Sequence, residues 1–364
     1  MQLSEIIKAL EAFAPPAYQE NYDNAGLITG NPLQEITGAI ICLDSTEEVI
    51  DEAIKENCNL VIAHHPIIFS GLKKINGKNY VERTIIKAIK NDIAIYAAHT
   101  NLDNVRMGVN SRIAEKLGLK NCTVLQPKAG LLKKLVTFCP NEKAASVREA
   151  LFKAGAGFIG NYNQCSYNVE GYGTFRAGKG SKPYVGKQNV QHHEEETRIE
   201  TIFPGQLQPG ILNALFSSHP YEEVAYDIYP LENEYNQVGS GLTGELEKEM
   251  DEMDFLRSLK ISLKTDCVRY TTLTGKKIKR VAVCGGAGSF LLKDAISAGA
   301  DAFITADLKY HQFFDAEGKL LLADVGHFES EQFTGEIFYD VLQRKFSTFA
   351  VRLSKINTNP VNYL

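Results

Sequence analysis

The sequence predicts an α/β core split by an inserted α+β domain, and three observations lead to that reading. Short apolar runs alternate with helical patterns from Met1 to about residue 125, the mark of a layered α/β arrangement with a mainly parallel sheet. The same strand–helix style returns towards the C-terminus. Between the two, the order becomes βαβ–βαβ around a long central hairpin, which suits a ferredoxin-like split βαβ unit. Polar stretches, Gln126 to Gly130 and Asn233 to Gln237, flank that middle part and read as linkers. Residues 1–128 and 237–364 are therefore expected to form one core, with 129–236 as the insert. The 364 residues fit two or three domains of roughly 100–200 residues each.

The elements follow in order. Ala39 to Leu43 is strand-like, and Ser45 with Glu48 three residues on offers a capping box for the next helix. That helix places Val49, Ile50, Ala53 and Ile54 on one face. Leu60 to Ala63 reads as the second strand, Glu82 to Lys90 as a helix, Ile93 to Ala98 as the third strand and Val109 to Leu117 as a helix. In the middle part, Lys134 to Phe138 is strand-like and Ala144 to Ala154 helical. Two hairpin-like segments follow, Gln164 to Val169 and Tyr172 to Arg176, then a polar loop. Thr197 to Phe203 reads as a strand, Pro209 to Phe216 as a helix and Val224 to Ile228 as a last strand. Beyond it come strands at Arg280 to Cys284, Ala302 to Thr305 and Leu320 to Ala323. The final helix carries Phe333, Ile337, Phe338, Val341 and Leu342 at a 3.6-residue period.

Composition narrows the class. A hydrophobic share of 44% with 23% charged residues is that of a folded globular chain, which excludes wholesale disorder, collagen-like repeats and coiled-coil rods. No apolar run approaches the ~20 residues of a membrane span. The amphipathic start, MQLSEIIKALEAFAPP, lacks the layout of a secretory signal, so a cytoplasmic protein is expected. A net charge of −5 argues against a nucleic-acid partner, whose phosphates call for clustered Lys and Arg. The seven cysteines are scattered, with no CxxC pair, and read as reduced thiols packed as small hydrophobes.

Polar residues collect just past the carboxyl ends of the predicted strands, where ligands of open α/β sheets bind. Asp44 follows the first strand, His64-His65 the second, and His99 with Asp103 the third. Asp307 follows a later strand; Asp324, His327 and Glu331 follow another. Five of the eight histidines lie at such ends: His64, His65, His99, His311 and His327. Neighbours on a strand point to opposite faces, so His64 and His65 are expected to serve different ions. His327 and Glu331, four apart on a helix start, share a face. Two metal ions held by His64, His65, Asp103, His327 and Glu331 follow, with a carboxylate as bridge. Such mixed donors suit Zn, Fe, Mn or Co more than Ca or Mg. His99, His311 and Asp307 are candidates for proton transfer or for orienting a ligand.

Three other motifs weigh less. Gln191 to Glu196 carries two histidines and three glutamates but reads as a solvated loop tip. His219 leaves two readings open, a structural group or the wall of a pocket in the insert. Gly285-Gly286-Ala287-Gly288-Ser289 is either a phosphate cradle or a tight strand–helix turn, and lacks the Lys-Ser/Thr of a P-loop.

The runs Tyr22-Asp23-Asn24-Ala25-Gly26-Leu27, Ala63-His64-His65-Pro66, His99-Thr100-Asn101-Leu102-Asp103 and Asp324-Val325-Gly326-His327-Phe328-Glu329-Ser330-Glu331 together resemble the Nif-three-like family. Its members are labelled GTP cyclohydrolase 1 type 2 homologues or dinuclear-metal hexameric proteins. Val283 to Gly288 and Ile304 to His311 match its pattern too. The middle part resembles the PII/CutA-like insert of the longer bacterial members, through Gly160-Asn161-Tyr162, Gly171 to Phe175 and His219-Pro220-Tyr221-Glu222-Glu223. The departures are Tyr22, where Trp is common, and Ala306, where Gly is common. The resemblance implies a dinuclear centre, zinc first among the candidate ions, with Glu331 as bridge. It also implies a toroidal homohexamer whose inserts associate in threes. The activity it points to is metal-assisted hydrolysis of a nucleotide such as GTP or of a phosphorylated small molecule. A non-catalytic metal-binding or metabolite-sensing scaffold is the rival reading.

Overall fold

A computed structural model describes all 364 residues, and the chain divides into two compact units, 1–127 with 237–364 and 128–236. No helix is long and apolar enough to cross a membrane.

In the first unit, α1 (Leu3–Phe13) precedes β1 (Gly26–Thr29), β2 (Ala39–Asp44), α2 (Glu47–Lys55) and β3 (Leu60–His65). Then come α3 (Tyr80–Lys90), β4 (Ala94–Ala97), α4 (Thr100–Asn104), α5 (Val109–Lys116) and β5 (Lys120–Ala129). β2, β3 and β4 pair in parallel, and the antiparallel β1 closes one edge. Ile40, Ile41, Val61, Ile62 and Ile95 are fully or almost fully buried, as expected of parallel strands covered on both faces. α2 and α3 cover one face with Val49, Ile50, Ala53, Ile85 and Ala88. Burial of the valine and the two isoleucines contributes about 1.5–3 kcal/mol each, which outweighs any capping term. The cap of α2 is Thr46, whose hydroxyl accepts from the Val49 N–H, and not Ser45 as the sequence suggested.

The insert runs β6 (Leu132–Pro140), α6 (Ala144–Lys153), β7 (Tyr167–Arg176), β8 (Gln191–Pro204), α7 (Gln208–Ser218) and β9 (Tyr226–Leu231). Its antiparallel sheet has the order β7-β8-β6-β9, the ferredoxin-like arrangement expected. Leu135, Cys139, Ile199 and Phe203 pack against Val147, Leu151, Ile211 and Leu215 in its core. The segments read as two hairpin pieces are one strand, β7, and its hairpin partner is β8. Gln191 to Glu196, read as a loop tip, is the start of β8. Its charge marks a hairpin that extends beyond the core, where exposed side chains are not selected for apolarity.

The chain returns through β10 (Glu234–Asp251), α8 (Glu252–Ser262), β11 (Arg269–Tyr270), β12 (Lys277–Val283) and α9 (Leu292–Ser297). β13 (Ala302–Thr305), β14 (Leu321–Asp324), α10 (His327–Glu331), α11 (Thr334–Lys345) and β15 (Val351–Leu353) complete it. β12, β13 and β14 are parallel, in a sheet ordered β11-β14-β13-β12-β10-β5. β15 rejoins the first sheet beside β2, so both sheets belong to one unit. The stretches taken for polar linkers lie largely in β5 and β10.

Candidate metal centre

Strand β3 ends in His64, which is fully buried, and His65, which is partly exposed. Both rings nevertheless reach one carboxylate: Glu331 Oε2 lies 3.8 Å from His64 Nε2 and 3.0 Å from His65 Nε2. Strand alternation does not separate them because both stand at the strand's end. Gly326, at φ +92°, turns the chain from β14 into α10, and His327 then stands one turn from Glu331, with Nε2 3.1 Å from the same oxygen. Short helix α4 supplies Asp103, whose Oδ1 is 3.5 Å from His64 Nε2.

Three sets of donor atoms each fall within 4.8 Å of one another: His65, His327 and Glu331; His64, Asp103 and Glu331; and His64, His65 and His99. Glu331 belongs to the first two. His64 Nε2 and Asp103 Oδ1 are buried without a hydrogen-bond partner. Buried polar atoms are seldom left so, and each costs about 1–3 kcal/mol when they are. A cation between them would satisfy both, so the donor set fits a metal ion.

The electrostatics agree. Burial opposes the charge on His65, yet hydrogen bonds to Asp44 and Glu331 bring its pKa up to about 9. His327 goes up to about 11 against burial, through Asp307 and Glu331. Burial and then the Glu331 charge push Asp103 up to about 7. Glu331 is held well below the carboxylate range despite its burial, by the surrounding imidazoles. Cys284 also lines the cavity, where burial raises its thiol pKa.

Each ring is fixed from behind. His64 Nδ1 meets the Ala98 carbonyl at 2.9 Å, His65 Nδ1 meets Asp44 at 2.7 Å, and His327 Nδ1 meets Asp307 at 2.7 Å. Each Nδ1–H donates outward, and the three Nε2 atoms converge on Glu331. Asp307 accepts from His327 at a left-handed φ of +55°, a conformation that Asp tolerates better than most residues. Replacing Asp44 or Asp307 by Asn is expected to lower divalent-metal affinity about 10–100-fold without unfolding the chain, as read by competition with a chromogenic chelator.

His99 lines the same cavity, its Nδ1 2.8 Å from Asp23, whose other oxygen accepts from the Thr100 N–H and hydroxyl. Asp23 lies in the Tyr22-to-Leu27 motif, 76 residues from His99. Burial would raise its pKa, but the hydrogen bonds from His99 and Thr100 outweigh burial and hold it below the ordinary 3.8. A lowered carboxylate pKa stabilises the fold above 3.8, and that contribution fades as pH falls through the folded-state value. The melting-temperature gap between ion-free wild type and Asp23→Asn should therefore be widest near neutrality and close below pH 3.8. A gap that widened in acid would contradict the assignment.

The glycine turn after β12 is committed to the fold. Gly285 N–H donates to Asn110, Gly286 N–H to the Ser330 hydroxyl and Gly288 N–H to Thr305. Three of the amides that would cradle phosphate are thus taken. Gly286 has another use: at φ +58°, a Cβ there would lie 2.5 Å from Glu331 Oε1 and 3.2 Å from His327 Cε1. The turn makes room for the donor cluster.

Not every predicted residue joins. His311 is exposed beside Tyr310 and Phe314 and does not line the cavity. His192 pairs with Glu194 on the insert's hairpin. His219 is buried in the insert, with Nε2 donating to the Phe138 carbonyl and Nδ1 accepting from the Tyr221 N–H, which favours the structural reading. Asp23 escaped sequence reasoning as a site residue, and so did Thr358, whose hydroxyl donates to Asp44; Gly286 was read only as part of a phosphate cradle or a turn.

Fold and site together define an α/β protein with an inserted ferredoxin-like unit and a cluster of imidazoles and carboxylates able to hold metal. The chain belongs to the Duf34/NIF3 (NGG1p interacting factor 3) family, whose profile matches residues 1–360. A GTP cyclohydrolase 1 type 2 homolog of Bacillus subtilis strain 168 is 40% identical over 366 residues, covering 99% of this chain and 98% of the relative. A Bacillus cereus protein related to NIF3 superposes with a TM-score of 0.89 at 40% identity, over 100% of this chain and 99% of the other. A Staphylococcus aureus protein follows at TM-score 0.79 and 28% identity, over 100% and 99%. The resemblance read from the motifs is thereby borne out.

Proposed function

We propose that this cavity, about 760 Å³ in volume, is the dinuclear site of a metal-dependent hydrolase. The observation that carries the reading is Glu331: one buried carboxylate shared by two donor groups, beside the unsatisfied His64 Nε2 and Asp103 Oδ1. His65, His327 and Glu331 would hold one ion, and His64, Asp103 and Glu331 the other. Zinc is the first candidate; iron, manganese and cobalt share the donor preference. Two such ions supply Lewis acidity and acidify water at neutral pH.

The chain's own residues do the rest. Asp44, Asp307 and the Ala98 carbonyl hold the three imidazoles in one orientation, which preserves the site between turnovers. Asp23 holds His99 by Nδ1 and leaves Nε2 for the cavity, where it can take or give a proton. Arg269 is the cation in the cavity wall; its Nη2 serves Asp324 and the Leu308 carbonyl, and its other N–H groups are the donors left for an anionic substrate. A nucleotide or phosphorylated small molecule fits that description. GTP is the first to try, given the name carried by the Bacillus subtilis relative. A homohexamer with inserts associating in threes is proposed on the motif resemblance.

The test is turnover of GTP and of simple phosphate esters by full-length protein loaded with each candidate ion, beside His99→Gln. Ion-dependent turnover that falls about 100-fold in His99→Gln at unchanged ion content is expected. A loaded protein inert towards every nucleotide and ester would contradict the hydrolase and favour the scaffold.

A further inference from the structure

The insert has a cavity of its own, about 720 Å³, beside the β7–β8 hairpin. Three aromatic rings stand together in its wall: Tyr221 has its centroid 6.3 Å from Phe175 and 6.3 Å from Tyr184, at interplanar angles of 58° and 50°. Rings inclined like this do not form the parallel walls of a stacking site for a flat base; His192 also packs on Phe175 and His219 on Tyr221. Beside them lies Glu196, only 9% exposed, whose Oε1 accepts from the Tyr221 hydroxyl at 2.7 Å. Gly173, across the hairpin, gives the carboxylate its room, since a Cβ there would sit 2.2 Å from Glu196 Oε2.

Two arginines share the cavity wall, but neither forms an ion pair with Glu196: Arg198 pairs with Glu200, and Arg176 donates to the Asn189 carbonyl. Burial lowers the pKa of His219, which packs on Tyr221, so that imidazole carries no charge near neutrality. Tyr221 keeps its proton, because burial and the Glu196 hydrogen bond both raise its pKa, so it remains a donor to that carboxylate. A buried carboxylate with one hydroxyl donor and no counter-charge is costly unless a cation completes it. Faces of aromatic rings attract cations through their quadrupole, most strongly when water is excluded.

We propose that this cavity is a binding site for a small organic ammonium ion, held by the faces of Phe175, Tyr184 and Tyr221 and neutralised by Glu196. With Glu170, Glu222 and Glu223, four glutamates in its wall outnumber the two arginines, Arg176 and Arg198, and leave the potential negative. Its residues all belong to the insert.

The test is calorimetric titration of the full-length protein with choline and with 3,3-dimethylbutan-1-ol, its uncharged isostere. Choline is expected to bind at least about tenfold more tightly than the isostere, because the ring faces and carboxylate act on charge. Glu196→Gln should remove that preference. Tyr184→Leu, a change at a half-exposed loop residue that leaves the core untouched, should weaken choline about tenfold while the melting temperature stays put. No binding of choline at millimolar concentration, equal binding of the two compounds, or unchanged binding in both variants would each overturn the proposal.

Discussion

Glutamine in place of Glu331 is expected to empty both halves of the metal centre at once. The change keeps size and shape but removes the charge that faces three imidazoles, and its amide NH₂ group would oppose lone pairs rather than ions. His64, His65 and His327 all lie within 3.8 Å of the same oxygen, so no other residue can replace it. Loss of an outer-sphere partner costs about 10–100-fold in metal affinity, and loss of a shared ligand should exceed that range. Metal analysis after dialysis against a weak chelator reads the effect directly. A Glu331→Gln protein with the wild type's ion content and turnover would remove Glu331 from the site.

The second large effect comes from a residue that touches no ligand through a side chain. Gly286→Ala places a methyl group 2.5 Å from Glu331 Oε1, a distance real contacts do not reach. The carboxylate must move, and the backbone must also hold an alanine at φ +58°. Strain alone is controlled by Gly318→Ala, at φ +67° with open space around the new methyl. That variant should lose about 1 kcal/mol of stability and keep its ions. Gly286→Ala should lose about 100-fold or more in metal affinity, on the scale of a displaced ligand shell. Equal metal affinity in the two glycine variants would show that the turn does not shape the site.

Much of this could be read in the sequence, for identifiable reasons. Strands β2, β3, β13 and β14 are parallel and covered on both faces, so they appear as unbroken apolar runs, and the polar residue after each run stands out. Other elements were hidden by the same physics. β10 goes unassigned in the sequence beyond the stretch that reads as a linker; it contains Gly239, Gly241 and Gly244, which allow close backbone approach, and a Cβ on Gly239 would lie 2.2 Å from the Gln126 carbonyl. The start of β8 was obscured by its charge. Within the site, the histidines were legible because they cluster at strand ends. The pairing of Asp23 with His99 was not, since nothing local connects residues 76 positions apart. The same holds for the clearance at Gly286, which depends on where Glu331 arrives in three dimensions.

Glu331 is proposed to join two metal-binding half-sites. Metal content per chain in gently purified full-length protein, wild type beside His327→Ala and Glu331→Gln, tests it most directly. About two ions per wild-type chain, reduced in His327→Ala and nearly abolished in Glu331→Gln, is the predicted result. A wild type that stays empty after reconstitution with zinc, iron, manganese and cobalt would contradict it.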